Sequence, residues 1–262
     1  VTHKIAVDAD SILYRSCYRH KHMVENDDSK MDRFLEYAYF EFCGEISKIK
    51  QAIFNGPETY SYGDDVKAVI CLSPKHTFRH DIFPDYKANR KTTPVPGISR
   101  LKQMVRDRLA GMVYYKDNVE ADDLVIYLAK ELNYRVAAID KDVLNACPTE
   151  SYNYSKFEWN MPKTEAQIEK WYLMQALMGD KDDNIPGAKG IGSVGAFNIV
   201  HGVDPKQKNV KLTWEQTNYR PTFEDIVPHF PSEAEARISM MLVRMDQFNG
   251  KEIIPWVPHT KI

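Results

Sequence analysis

The chain has 262 residues, 43% hydrophobic and 27% charged, a balance that supports a folded core and excludes a disordered chain. No apolar run approaches the roughly 20 residues that cross a bilayer, and the four cysteines, Cys17, Cys43, Cys71 and Cys147, lack the spacing of a structural zinc site. The net charge of −2 is near neutral but unevenly spread.

In chain order, HKIAVDAD reads as a buried strand that ends at carboxylates. It has no signal-peptide h-region, so the expected compartment is the cytoplasm. SILYRSCYRHKHMV reads as a helix with Ser11 as candidate N-cap. Residues 31–54 have helical periodicity and 55–65 form a loop. DVKAVICLS is a second strand. PDYKANRKTTPVPGISRLKQMVRDRL follows, irregular in its first half and helical in its second. From Arg79 to Arg108 basic residues outnumber Asp81, Asp85 and Asp107, a segment suited to a polyanion or, more blandly, a solvated face. GMVYY is a strand, EADDLVIYLAKEL a helix, YRVAAID a strand and KDVLNAC a short helix. This alternation predicts an α/β domain with a mainly parallel sheet. SYNYSKFEWN reads as a hairpin or edge pair. Beyond it the chain is helical: TEAQIEKWYLMQALM, capped by Thr164 and carrying an apolar stripe, then a glycine-punctuated stretch, then SEAEARISMMLVRMDQF. No internal repeat is present.

Ligands of a parallel α/β sheet bind outside the carboxyl ends of its strands, and the acids follow that rule. Asp8 and Asp10 close the first strand, and Asp140 and Asp142 close YRVAAID. Glu120 and Asp123 open a helix three residues apart, with Asp122 beside them. Asp180 and Asp183 repeat that spacing. Capping and the helix dipole account for any one pair. Four groups together form a candidate cation site, because gathered carboxylates repel unless cations neutralise them. Oxygen-only ligation suits Mg2+ or Mn2+, and two such ions about 4 Å apart serve phosphodiester hydrolysis.

The stretch MGDKDDNIPGAKGIGSVGAFNIV fails as a calcium loop. Begun at Asp180, it puts Ile185 where glycine is required and Ile191 where the closing glutamate belongs; begun at Asp182, it closes on Ser193. Gly190, Gly192 and Gly195 spell GxGxxG, but no strand precedes them. A helix, tight turn and helix remain, whose N–H groups suit a phosphate.

MGDKDDNIPGAKGIG, with VDADSILYR, NVEADDLVIYLA, AIDKDVLNA and FRHDIFPDYKANRK, resembles the motif set of the flap endonuclease / 5′-to-3′ exonuclease family over about residues 3–202. The resemblance implies an α/β, PIN-like 5′ nuclease fold with a mainly parallel central sheet, a helical arch and a C-terminal helix–three-turn–helix region. It implies a nuclease core over 1–160 that includes the basic arch segment 84–110, and a helical DNA-binding region over 161–262 with its motif at 178–201. The family's metal-binding acids fall on Asp8, Glu120, Asp122, Asp123, Asp140, Asp142, Asp180 and Asp183. Asp10 is an extra ligand or, equally, a helix cap. Lys87 and Arg90 match catalytic residues that reach the scissile phosphate and the backbone. Tyr86 matches a residue that stacks on a base, and Lys91, Gly190 and Gly192 match further DNA contacts. The implied cofactors are two Mg2+ or Mn2+ ions, with K+ at the helix–three-turn–helix. The implied partners are DNA with 5′ flaps or ends, or RNA–DNA hybrids, and replication proteins; the protein is expected to be a monomer with no membrane association. The expected reaction leaves a 5′-phosphate and a 3′-hydroxyl. The alternatives are RNase H-like primer removal and a DNA-binding homologue with weakened catalysis. Compact size points to the bacteriophage branch and a host cytoplasm. Two positions depart from the pattern: Leu72, Ser73 and Pro74 stand where the family has an aspartate, and Ser193, Val194 and Gly195 stand where it often has a lysine.

Overall fold

In chain order the elements of this computed structural model are β1 (Thr2–Asp8), α1 (Asp10–His20), α2 (Met31–Phe54), β2 (Asp65–Leu72), α3 (Phe78–Ile82), α4 (Ile98–Arg108), β3 (Val113–Tyr115), α5 (Ala121–Leu132), β4 (Arg135–Ala138), α6 (Lys141–Ala146), β5 (Ser151–Asn153), β6 (Glu158–Asn160), α7 (Glu165–Met178), α8 (Ser193–Val200), α9 (Phe223–Ile226) and α10 (Glu233–Val243). The structure describes residues 2–24, 28–54, 65–90, 95–207 and 219–258. Most of the expected loop 55–65 lies outside them. None of the described helices is long and apolar enough to cross a membrane.

The chain divides into two compact units, Val1–Lys75 with Lys91–Pro162, and His76–Arg90 with Lys163–Ile262. The first contains the sheet, ordered β3-β2-β1-β4-β5-β6. Every neighbouring pair is parallel except β5 with β6. The central strand β1 is an unbroken apolar run because both its faces are covered: Ile5, Ala6 and Val7 are fully buried. Helix α2 buries Phe34, Leu35, Ala38, Phe42, Ile46, Ile49 and Ile53, the recurrence of an amphipathic helix. Each large apolar side chain so buried contributes about 1.5–3 kcal/mol.

The second unit is helical, with α7 packed against α8 and α10. The expected apolar stripe on α7 is instead a run buried on every side, from Lys170 to Leu177, as befits the central helix of a bundle. Thr164 caps α7 as expected, accepting from the Gln167 amide.

Other expectations are corrected. Ser11 is not the cap of α1; Ala9 holds that position, and the Ser11 hydroxyl lies 2.6 Å from that of Tyr154. Helix α10 stops at Val243, where Arg244 turns extended. Helix α3 was not foreseen. The segment 84–110 is not one structural piece: residues 84–90 belong to the second unit, whereas α4 packs in the first, with Leu101 and Val105 fully buried.

Candidate metal and nucleic-acid site

In the first unit, β1 runs between β2 and β4, all parallel, so three strands deliver their carboxyl ends to one edge. Asp8 is the last residue of β1 and is 6% exposed. Tyr154 anchors this strand end, donating its hydroxyl to the Asp8 carbonyl at 2.8 Å. Asp10 opens α1, where its charge complements the helix dipole. After β2, Ser73 ties three elements together. Its amide donates to Asp10 Oδ2 at 3.1 Å, its hydroxyl accepts from the Ala121 amide at 2.9 Å, and its carbonyl accepts from Lys102 at 2.7 Å. Helix α5 is thereby held by its N-terminus against the end of β2.

Glu120 and Asp123 form a reciprocal capping box at that N-terminus, with Asp123 Oδ2 accepting from the Glu120 amide at 3.2 Å. Both are buried. The capping reading of EADD is therefore realised, and an aspartate at the third helical position replaces the more usual glutamate or glutamine. At the end of β4, Asp140 caps α6 by accepting from the Asp142 amide at 2.8 Å. The fields of Asp8, Asp10 and Asp122 meet at buried Cys71. Its thiol is held well above its ordinary pKa, first by burial and then by those three carboxylates. Among the described residues, no three His, Cys, Asp or Glu side chains close around one point as a metal shell. The donor chemistry nonetheless fits a hard dication: oxygen-bearing and like-charged, with Asp8, Glu120 and Asp123 buried.

In the second unit, Asp180 and Asp183 lie in the turn after α7. Asp180 pairs with Ile185 in a bridge, and its Oδ1 accepts from the amides of Asp182 at 2.7 Å and Asp183 at 3.3 Å. Asp183 in turn gathers Tyr86, Lys87 and Arg90. Tyr86 donates its hydroxyl to Oδ2 at 3.2 Å, the Lys87 ammonium lies 3.7 Å from Oδ2, and Arg90 pairs with Oδ1. Lys87 has a φ of 59°, rare for a residue with a side chain, and its amide donates to the Asp183 carbonyl at 2.8 Å. A non-glycine held there costs about 1–3 kcal/mol, a strain that concentrates at functional positions.

The turn depends on a close backbone crossing. Gly179 has a φ of 65°, and a Cβ there would strike the backbone of Gly187 and Ile185; a Cβ on Gly187 would strike Met178. Gly179→Ala is expected to lower the Tm by several degrees, because backbone strain of about 1–3 kcal/mol is joined by displacement of a neighbouring main chain. Thermal unfolding followed by circular dichroism measures it, and a Tm matching wild type would contradict the crossing. Gly190 has a φ of 79° with open space around it, and Gly192 is likewise unobstructed. Gly192 precedes α8 as its N-cap, so both expected backbone contacts stand in the open at a helix start.

Two expectations change. Tyr86 is 3% exposed, edge-on to His80 and beneath the Lys87 ammonium. Its ring is packed inside in this structure, so the expected stacking on a base would need the ring to be uncovered. The basic excess of 79–108 is also largely spent within the protein. Arg79 is 2% exposed, Arg100 pairs with Asp32 at 2.8 Å, Arg108 forms a fork with Glu36, and Arg106 covers the ring of Tyr115. Lys91 lies outside the described residues. Ser73, Lys102 and Tyr154 were missed, since a serine, a surface-type lysine and a strand-end tyrosine carry no signal of mutual contact.

A mainly parallel sheet with acids at its carboxyl edge, joined to a helical unit with a glycine hairpin, is the PIN-like nuclease fold. Residues 3–172 match the profile of the family described as 5′-3′ exonuclease, N-terminal resolvase-like domain, and the chain belongs to that family. A 5′-3′ exonuclease of Aquifex aeolicus is 30% identical over 166 residues, covering 56% of each chain. A DNA polymerase I of Bacillus caldotenax is 34% identical over 147 residues, 48% of this chain but 16% of the polymerase. The chain thus spans about half, or far less, of the curated relatives it matches. Among solved structures, a bacteriophage T5 5′-exonuclease with zinc ions bound aligns with a TM-score of 0.57 at 18% identity, covering 94% of this chain and 90% of that one. A bacteriophage T5 flap endonuclease in a pseudo-enzyme–product complex with DNA and metal ions aligns with a TM-score of 0.55 at 17% identity, with the same coverage. Those likenesses establish the fold.

Proposed function

We propose that the chain is a divalent-metal-dependent 5′ nuclease, hydrolysing DNA phosphodiesters at 5′ ends or 5′ flaps to leave a 5′-phosphate and a 3′-hydroxyl. The observation that carries the proposal is the placement of buried Asp8 at the carboxyl end of β1 and of Glu120 and Asp123 at the start of α5, which is held against the end of β2 through Ser73, in a chain of the 5′-3′ exonuclease family. Asp8, Glu120, Asp122, Asp123, Asp140 and Asp142 in the first unit, and Asp180 and Asp183 in the second, are assigned to two Mg2+ or Mn2+ ions. Such ions supply charge for water activation and for the leaving oxygen when bound.

The protein's own groups do the rest. Lys87 and Arg90 carry positive charge for phosphate oxygens, and Asp183 holds both in place beforehand. The N–H groups around Gly190 and Gly192 suit a duplex backbone without reading sequence, and their carbonyls suit a K+ ion. No side chain is needed as nucleophile.

A weaker nuclease that acts chiefly as a DNA-binding protein is the second reading. It is favoured by the engagement of Asp10 with Lys102 at 3.1 Å. A digest of 5′-labelled flap, nicked duplex and blunt duplex, in DNA and RNA–DNA versions, separates the readings. Cleavage that requires Mg2+ or Mn2+ and stops in EDTA is expected. Gel-shift binding without turnover at any concentration of either ion would establish the binder instead.

A further inference from the structure

Opposite the acidic edge, the amino ends of the parallel strands form a second edge of the first unit. Lys4 lies there on β1, four residues before Asp8 and roughly 13 Å from it along an extended strand. At that edge the starts of β1, β4 and β5 border a cavity of about 600 Å3, within the roughly 300–1,000 Å3 of small-molecule sites. Its walls are fastened from within. The Thr149 hydroxyl donates to the Tyr134 carbonyl at 2.7 Å, and the Val136 amide donates to the Glu150 carbonyl at 3.2 Å. Leu132, Pro148 and Pro162 supply apolar lining, and His3, Lys4, Arg135 and Glu150 supply polar lining. Arg135 and Glu150 pair at 3.0 Å and so balance each other. The Lys4 ammonium stands over the Tyr134 ring, 5.5 Å from its centroid, and pairs with no carboxylate among the described residues. The uncompensated charge of the lining is therefore positive.

We propose that this cavity is a second binding site, for a nucleoside monophosphate, with the phosphate on Lys4 and His3 and the base against Leu132, Pro148 and Pro162. An ammonium without a carboxylate partner takes a phosphate as a point charge. Inorganic phosphate satisfies Lys4 but leaves the apolar lining and most of the volume unused, whereas a planar base covers both. The Glu150 carboxylate accepts from an amino or hydroxyl group of the nucleoside. It also repels further phosphates, which selects a monophosphate over a triphosphate. The site does not depend on the proposed metal chemistry. A 5′ nuclease acting on phosphorylated ends releases molecules of this class, so the cavity would hold product away from the acidic edge.

Isothermal titration calorimetry in EDTA, which keeps dications off the acidic edge, tests this with dAMP, dATP, deoxyadenosine and inorganic phosphate. Binding of dAMP is expected. Deoxyadenosine and inorganic phosphate are each expected to bind at least about tenfold more weakly, one lacking the charged contact and the other the apolar body. Binding of dATP is expected to be weaker than that of dAMP. Lys4→Met keeps the length of the stem and removes the charge. It is expected to weaken dAMP binding on the order of tenfold, the worth of one charged hydrogen bond, and Lys4→Arg is expected to restore it. Leu132→Glu, at an exposed position that ends α5, sets a second negative charge beside the ligand and is expected to weaken dAMP binding as much. It carries the test should Lys4→Met fail to fold, which circular dichroism reports. Cleavage of DNA by both variants is expected to match that of wild type. Absence of dAMP binding, or equal binding by wild type and the folded variants, would overturn the site. Inorganic phosphate or dATP binding as tightly as dAMP would overturn the nucleoside monophosphate as its occupant. Neither result bears on metal-dependent cleavage, which the digest measures separately.

Discussion

Asp8→Asn is expected to lower Mg2+-dependent cleavage by at least about a hundredfold while leaving the protein folded. Outer partners of metal ligands typically cost 10- to 100-fold when changed, and Asp8 is assigned to direct contact. The side chain sits at 6% exposure at the end of the central strand, where a charge is tolerable only if compensated. Asparagine keeps the shape, and the Tyr154 hydrogen bond goes to the Asp8 backbone carbonyl, so this anchor survives the substitution. Loss of one negative charge beside Asp10 and Asp122 relieves repulsion in the metal-free protein. Its Tm should therefore match or exceed that of wild type in EDTA, while the rise produced by added Mn2+ shrinks. Wild-type cleavage by Asp8→Asn would remove the residue from the site.

Arg79→Met is expected to cost about 3–5 kcal/mol of stability, since two buried hydrogen bonds from a charged donor are worth about 1.5–3 kcal/mol each. Arg79 is 2% exposed. Its Nε donates to the Leu242 carbonyl at 2.8 Å and its Nη2 to the Arg244 carbonyl at 2.7 Å. Those carbonyls belong to the end of α10, where a helix leaves acceptors unsatisfied and a cation opposes the dipole. Methionine fills the volume and supplies no donor, so the Leu242 carbonyl loses this partner at about 1–3 kcal/mol, whereas the Arg244 carbonyl keeps the Gln247 side-chain amide at 3.2 Å. A fall in Tm of roughly 10 °C follows for a protein of this size, and a urea titration gives the free energy. A midpoint equal to that of wild type would show that α10 does not depend on this cap.

Arg79 also shows why sequence alone misjudged the basic segment. Its two acceptors lie more than 160 residues away, and no local pattern distinguishes a guanidinium that caps a distant helix from one that awaits a phosphate. The same holds for Arg108, which meets Glu36 across 72 positions, and for Lys102, whose partners sit at the ends of two other elements. The burial of the Tyr86 ring was not legible for a related reason: it depends on His80 and the turn around Asp183, not on neighbours in sequence. The sheet was legible because IAVD, VICL and VAA are apolar runs that end at polar residues, and parallel order follows from helices between them. The acids were legible by position, since a parallel sheet collects its strand ends. Their engagement was not. Glu120 with Asp123, and Asp140 through its own side chain, are helix caps as well as candidate ligands; sequence offered both roles and could not show which amide each side chain accepts from.

The central claim is that carboxylates at the carboxyl edge of the sheet bind divalent ions. Anomalous diffraction from a crystal grown in MnCl2 tests it most directly. The expected result is a manganese peak within ligand distance of Asp8 and Asp122. A map in which those side chains face only protein or water, with manganese elsewhere or nowhere, would contradict it.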